Sequence, residues 1–181
     1  MKIVTYKVVA YITHNNQLLV FRHTAFPEAG IQVPAGTIKT NETAETAVLR
    51  EAYEETGLTN LKIKRKLGVG KHDMHEYGRN EIQHRTYFHL VCTSPPPQAW
   101  HHWEEHTESG ESYEFAFFWA DLPAGIPPLA GFQDAFLPQL AMRERACISY
   151  LPWLQFINFW ILIILLGALL LCVDLHVFCL C

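Results

Sequence analysis

Three glutamates stand at positions 51, 54 and 55, a spacing of i, i+3 and i+4. On an α-helix this spacing gathers the three side chains within roughly a 100° arc of one face. Carboxylates crowded in this way repel one another unless a cation neutralises them. Hard oxygen ligands favour Mg²⁺ or Mn²⁺ over zinc. A dication held by a few carboxylates, with positions left for phosphate oxygens, is the usual arrangement for phosphoryl chemistry. Arg50 precedes Glu51 by one residue and Glu54 by four, so its guanidinium is within reach to brace those carboxylates. A merely solvated, acidic helix face is the other reading of such a run.

The surrounding residues weigh against that blander reading. Thr40, Asn41 and Thr43 are plausible helix caps, and Gly57 stands where a left-handed residue would end the helix. Ala44, Ala47, Val48 and Ala52 form an apolar stripe opposite much of the charge. Pro34-Ala35-Gly36 reads as a tight backbone turn ahead of the helix. Loop, capped helix and loop together would hold a metal site on a rigid support.

Gly36 to Leu58 resembles the signature of the Nudix hydrolases: Gly, five residues, Glu, seven residues, then Arg-Glu-apolar-x-Glu-Glu-x-Gly-apolar. Gly36, Glu42, Arg50, Glu51, Ala52, Glu54, Glu55, Gly57 and Leu58 occupy the specified positions. The resemblance implies an α/β/α sandwich with a mixed sheet over about residues 1 to 140. It implies Mg²⁺-dependent hydrolysis, with Mn²⁺ as a substitute, of a pyrophosphate bond in a nucleoside diphosphate linked to another moiety. Glu51, Glu54 and Glu55 would hold the metal, the Gly36 carbonyl would add a ligand, and Arg50 would orient the glutamates. Glu42 and Gly57 would structure the loops, and Arg22 would lie near substrate phosphates. A further carboxylate from a later loop would come from Glu111 or Glu114. The alternative is a silent Nudix-fold module that binds a nucleotide or protein, although such modules usually lack one or more of these glutamates.

The remaining elements follow from local pattern. Val4 to Thr13 and Gln17 to Arg22 read as a hairpin around His14-Asn15-Asn16. Ile31 to Val33, Leu61 to Val69, Thr86 to Cys92 and Phe115 to Ala120 read as further extended segments, and a final helix is expected near Gln133 to Leu140. The run Trp100 to His106 reads as a polar loop, its histidines exposed rather than bound to zinc. Aromatic residues there, with Tyr77 and Tyr87, are read chiefly as packing, with stacking on a nucleobase as the lesser alternative.

A net charge of −4 gives no support for a nucleic-acid-binding surface. Five cysteines, crowded toward the end, form neither a disulfide framework nor a paired zinc spacing, which fits a reducing, cytoplasmic setting. Residues 1–142 are expected to form the catalytic domain and 143–150 a linker. Residues 151–173 carry no charge and are long enough, as a helix of roughly 34 Å, to cross a bilayer core of about 30 Å. Arg143 and Arg145 precede this run, which would tail-anchor the domain on the cytoplasmic side, and 174–181 is a short tail. A packed helix and a shifted reading frame are the alternatives for the apolar run.

Overall fold

The computed structural model describes residues 1–104 and 112–140. Strands β1 (Ile3–His14) and β2 (Gln17–His23) form the expected hairpin. Its two-residue turn, Asn15-Asn16, has left-handed backbone at both positions, φ 46° and 62°. Asparagine tolerates that conformation, and two such residues match the twist of the strands they join.

The elements that follow are β3 (Ala35–Thr37), α1 (Ala44–Thr56), β4 (Leu61–Asp73), β5 (Glu81–Cys92), β6 (Ala99–Glu104) and β7 (Tyr113–Asp121). The seven strands form one mixed sheet in the order β4-β5-β1-β2-β7-β6, with β3 paired to β1. β1 and β5 are parallel, and the other pairs are antiparallel. This is the mixed α/β architecture expected.

Strand alternation divides the core in two. On one face Val8, Ala10, Ile12, Phe88 and Phe117 pack against Ala47, Val48 and Ala52 of α1. The small residues on the helix let it lie close to the sheet, which accounts for an alanine in the apolar slot of the motif. On the other face Val9, Tyr11, Val20 and Tyr87 lie under Leu129 and Leu140. Burying each large apolar side chain contributes roughly 1.5–3 kcal/mol.

Several boundaries differ from the sequence reading. β4 and β5 extend into a hairpin in which Lys71, His72 and Asp73 pair with His84, Gln83 and Ile82. Ile82 apart, those residues are polar and carry no apolar alternation to announce a strand. Ala35 and Gly36 belong to a strand rather than a turn, because Ala35, Gly36 and Thr37 pair with Val9, Val8 and Lys7. Residues 99–104 form β6 rather than a polar loop. At the C-terminal end, turns occupy 131–136 and helical backbone begins at 137, later than expected.

Met1–Ala141 form one compact unit. Among the described residues no helix is long and apolar enough to cross a membrane. The candidate span 151–173, its linker and the final tail lie outside the described residues.

Candidate active site

Helix α1 begins at Thr43, whose hydroxyl accepts a hydrogen bond from the Thr46 N–H at 3.1 Å. It ends at Gly57, left-handed at φ 70°, whose N–H donates to the Tyr53 carbonyl. Between these caps Glu51 and Glu55, one turn apart, are both buried. Strand β6 delivers a third carboxylate. One oxygen each from Glu51, Glu55 and Glu104 lies within 4.8 Å of the others.

β3 forms the opposite wall. The Ala35 N–H donates to Glu55 Oε2 at 3.3 Å. Gly36 passes so close to Glu51 that a Cβ there would meet Glu51 Cδ at 1.9 Å. Only glycine leaves room for this carboxylate. Burial raises the pKa of Glu51, against the lowering effect of Arg50. Burial also raises Glu55 well above the ordinary range, and the charges of Glu104 and Glu51 push it further. Three facing acids with so little solvent match a hard dication, which would favour their ionised forms.

Arg50 ties the site together. Its Nε and Nη2 donate to the two oxygens of Glu42 at 2.8 and 2.9 Å, a bidentate fork. Nη1 donates to Glu51 at 2.8 Å and Glu54 at 2.9 Å, and Nη2 also reaches the Thr37 carbonyl at 3.0 Å. Hydrogen bonding to Arg50 lowers the Glu42 pKa to about 2. Glu42 also accepts from the Lys39 N–H at 3.0 Å, so it closes the loop between β3 and α1 onto the guanidinium.

A NUDIX-domain family model matches residues 4–140. The chain belongs to the Nudix hydrolase family. Among solved structures, a MutT Nudix hydrolase from Burkholderia pseudomallei is 24% identical, with 75% of this chain and 97% of that one covered and a TM-score of 0.51. The MutT protein from Methanosarcina mazei Go1 is 21% identical, covering 80% and 96%, with a TM-score of 0.53. An ADP-ribose pyrophosphatase from Streptococcus suis 89-1591 is 18% identical, covering 79% and 91%, with a TM-score of 0.51. At these identities the likeness establishes the fold alone. No curated protein matches the sequence significantly.

Within the Nudix fold the motif residues separate into two groups. Glu51 and Glu55 face Glu104, whereas Glu54 bonds to Arg50 and lies outside that close carboxylate group. Glu104 was not among the residues expected from sequence. Its signal was the alternation Trp100-His101-His102-Trp103-Glu104, in which positions 100, 102 and 104 are half-buried and 99, 101 and 103 exposed. The structure does not bring Glu114 into the group. Glu114 is cross-strand to Trp103, on the opposite face from Glu104, and its carboxylate lies 3.2 Å from His101 Nδ1. Glu111 lies outside the described residues.

Arg22 is exposed on β2, and strand alternation turns it away from Phe21, which packs on the α1 side. Tyr87 is fully buried, its hydroxyl donating to the Phe132 carbonyl at 3.0 Å, so it has no face for a base. Tyr77 is half-exposed, with its ring edge-on to Phe132. Trp100 stacks on Phe117 at 5.0 Å as packing.

Proposed function

We propose that this Nudix hydrolase is a divalent-cation-dependent pyrophosphohydrolase, cleaving a phosphoanhydride in a nucleoside diphosphate linked to another moiety. The observation that carries this reading is the convergence of Glu51, Glu55 and Glu104 beside the Arg50 brace. Glu51, Glu55 and Glu104, with Glu54 and the Gly36 carbonyl, would hold Mg²⁺ or Mn²⁺. A dication bound there supplies Lewis acidity toward the bridging phosphate oxygens. Arg50 holds Glu51 and Glu54 in place, and Glu42 holds Arg50. Water attacks phosphorus, the bridging P–O bond breaks, and the leaving phosphate departs with the electron pair. The proton lost by that water passes to a carboxylate of the group, Glu104 or Glu55.

A cavity of about 310 Å³ supports a nucleotide-type substrate. Gln32, Tyr77, Arg79, Arg85 and Gln133 line it, and among the described residues no carboxylate does. Arg85 is buried, its Nε donating to Gln83 at 2.8 Å and Nη1 to the Gly131 carbonyl. The guanidinium groups of Arg79 and Arg85 suit the oxo and phosphate groups of a nucleotide. We also assign to 151–173 the anchoring of this domain at a membrane.

The test is a screen of the purified protein with Mg²⁺ against nucleoside triphosphates, nucleotide sugars, ADP-ribose and dinucleoside polyphosphates. Metal-dependent release of two phosphorus-containing products from at least one class is expected. Nucleotide binding without hydrolysis of any class would instead establish the silent binding module.

A further inference from the structure

Among the described residues strand β6 is an edge strand, paired with β7 alone. A strand held by one ladder is weakly fixed in register, and a slip of one residue would turn Glu104 to the opposite face and bring Trp103 into its place. Two side chains of β6 resist that slip. Trp100 Nε1 donates to the Thr56 carbonyl at 2.9 Å, and His102 Nε2 pairs with the Glu54 carbonyl at 3.0 Å. Because a carbonyl only accepts, His102 carries its proton on Nε2. Both carbonyls belong to the last turn of α1, where backbone oxygens have no partner within the helix.

The fit extends to Gly57. A Cβ at that position would lie 2.8 Å from His102 Cε1 and 2.9 Å from Nδ1. The left-handed φ of 70° already favours glycine, and the imidazole occupies the space that its missing side chain leaves. Trp100, His102 and Glu104 alternate along one strand face. The first two reach the end of α1, and the third reaches its buried carboxylates.

We propose that His102, assisted by Trp100, is a positioning residue that registers β6 on the end of α1 and thereby sets Glu104 beside Glu51 and Glu55. The inference rests on the reading of those carboxylates as the metal site, and it adds the reason that an acid from an edge strand arrives there. His102 touches neither metal nor substrate. It acts through the Glu54 carbonyl and the Gly57 backbone.

Full-length wild type, His102→Leu, His102→Gln, Glu104→Gln and the double variant His102→Leu/Glu104→Gln would be compared by two measurements. Hydrogen exchange of the β6 amides in metal-free protein reads the registration without activity. Mn²⁺ binding, with kcat and KM on a substrate found by the screen, reads its consequence. His102→Leu should speed β6 exchange locally and weaken Mn²⁺ by about tenfold, the usual scale for a residue that orients a ligand. It should lower kcat more than it raises KM. His102→Gln, which keeps a donor, should recover part of each effect. Glu104→Gln should weaken Mn²⁺ with little change in exchange, and the double variant should bind Mn²⁺ no worse than Glu104→Gln alone. Unchanged β6 exchange in His102→Leu, or losses of affinity that add fully in the double variant, would overturn the proposal. Wild type that binds no Mn²⁺ would overturn the reading of the carboxylates, and the exchange comparison would still decide the role of His102.

Discussion

The carboxylate of Glu51 lies against the bare Cα of Gly36: a side chain begun at residue 36 would start 1.9 Å from Glu51 Cδ. Gly36→Ala therefore has to displace either β3 or the acid. β3 is held by pairing to Lys7, Val8 and Val9 in the middle of the sheet, so the flexible glutamate is the part that yields. The variant should fold, since the clash falls on a side-chain end, and should lose at least tenfold in kcat, about 1.4 kcal/mol. Circular dichroism together with steady-state kinetics checks this. Full activity with a native spectrum would refute the placement of Glu51.

Glu54 and Glu55 are neighbours in sequence with different surroundings. Glu55 is buried against two other acids, whereas Glu54 is half-exposed and bonded to Arg50. Glu54→Gln and Glu55→Gln should each cost tenfold or more in kcat, because an amide is a poorer ligand for a hard dication. Their metal-free stabilities should diverge. Glu55→Gln replaces a buried carboxyl whose ionised form burial disfavours, and should raise Tm at neutral pH, by about 4 °C for each kcal/mol gained in a domain of this size. Glu54→Gln removes a partner of Arg50 and should not. Equal melting temperatures would contradict the burial difference.

Arg50→Lys should impair activity despite keeping the charge. The guanidinium spans both oxygens of Glu42 while also reaching Glu51, Glu54 and the Thr37 carbonyl. An ammonium has three donors on one atom and cannot bridge that spread. Arg50→Lys and Arg50→Ala would be assayed beside wild type at saturating Mg²⁺. Complete recovery by lysine would show that charge alone is needed.

Much of this site was legible because its parts are close in sequence. Thr43, Arg50, Glu51, Glu54, Glu55 and Gly57 belong to one helix and its caps, where spacing dictates which residues share a face. Glu104 was not legible on those terms. It reaches Glu55 through the pairing of β6 with β7 and the bonds from Trp100 and His102 to the helix end, and no local spacing encodes such contacts. The same limit hid β3. Pro34-Ala35-Gly36 has turn-forming composition, and only pairing with β1, some twenty-eight residues upstream, makes it extended. The hairpin turn at Asn15-Asn16 was legible because its chemistry is complete within two residues.

Acid should act on this protein in two opposite ways. Glu42 has its folded pKa lowered from the ordinary 4.5 to about 2, so its contribution to stability is present above 4.5 and lost as pH falls toward 2. Glu51 and Glu55 have raised pKa values in the folded chain. Their contribution in the absence of metal is full below the ordinary carboxylate range and is lost as pH rises through the raised values. A dication reverses that loss and must compete with protons, so its affinity should decline as pH falls. Thermal melts across about pH 5 to 8, with and without Mn²⁺, should show a metal-induced rise in Tm that grows with pH. A rise independent of pH would mean that the buried glutamates are not the ligands.

Deleting everything after Arg145 separates the apolar run from the chemistry. The residues that carry the site, from Gly36 to Glu104, lie within the compact unit Met1–Ala141, and none belongs to 151–173. The truncated protein should remain in solution and hydrolyse the same substrate at a similar rate. The full-length chain should sediment with membranes and resist both high salt and alkaline carbonate, because burial of apolar side chains in lipid is not screened by ions. Its domain should be reachable by protease from the cytoplasmic side, where Arg143 and Arg145 would hold the flank of the span. A full-length protein that stays in solution as a monomer without detergent would exclude insertion and point to a packed helix. An insoluble, inactive truncation would show that residues beyond 145 complete the folded domain.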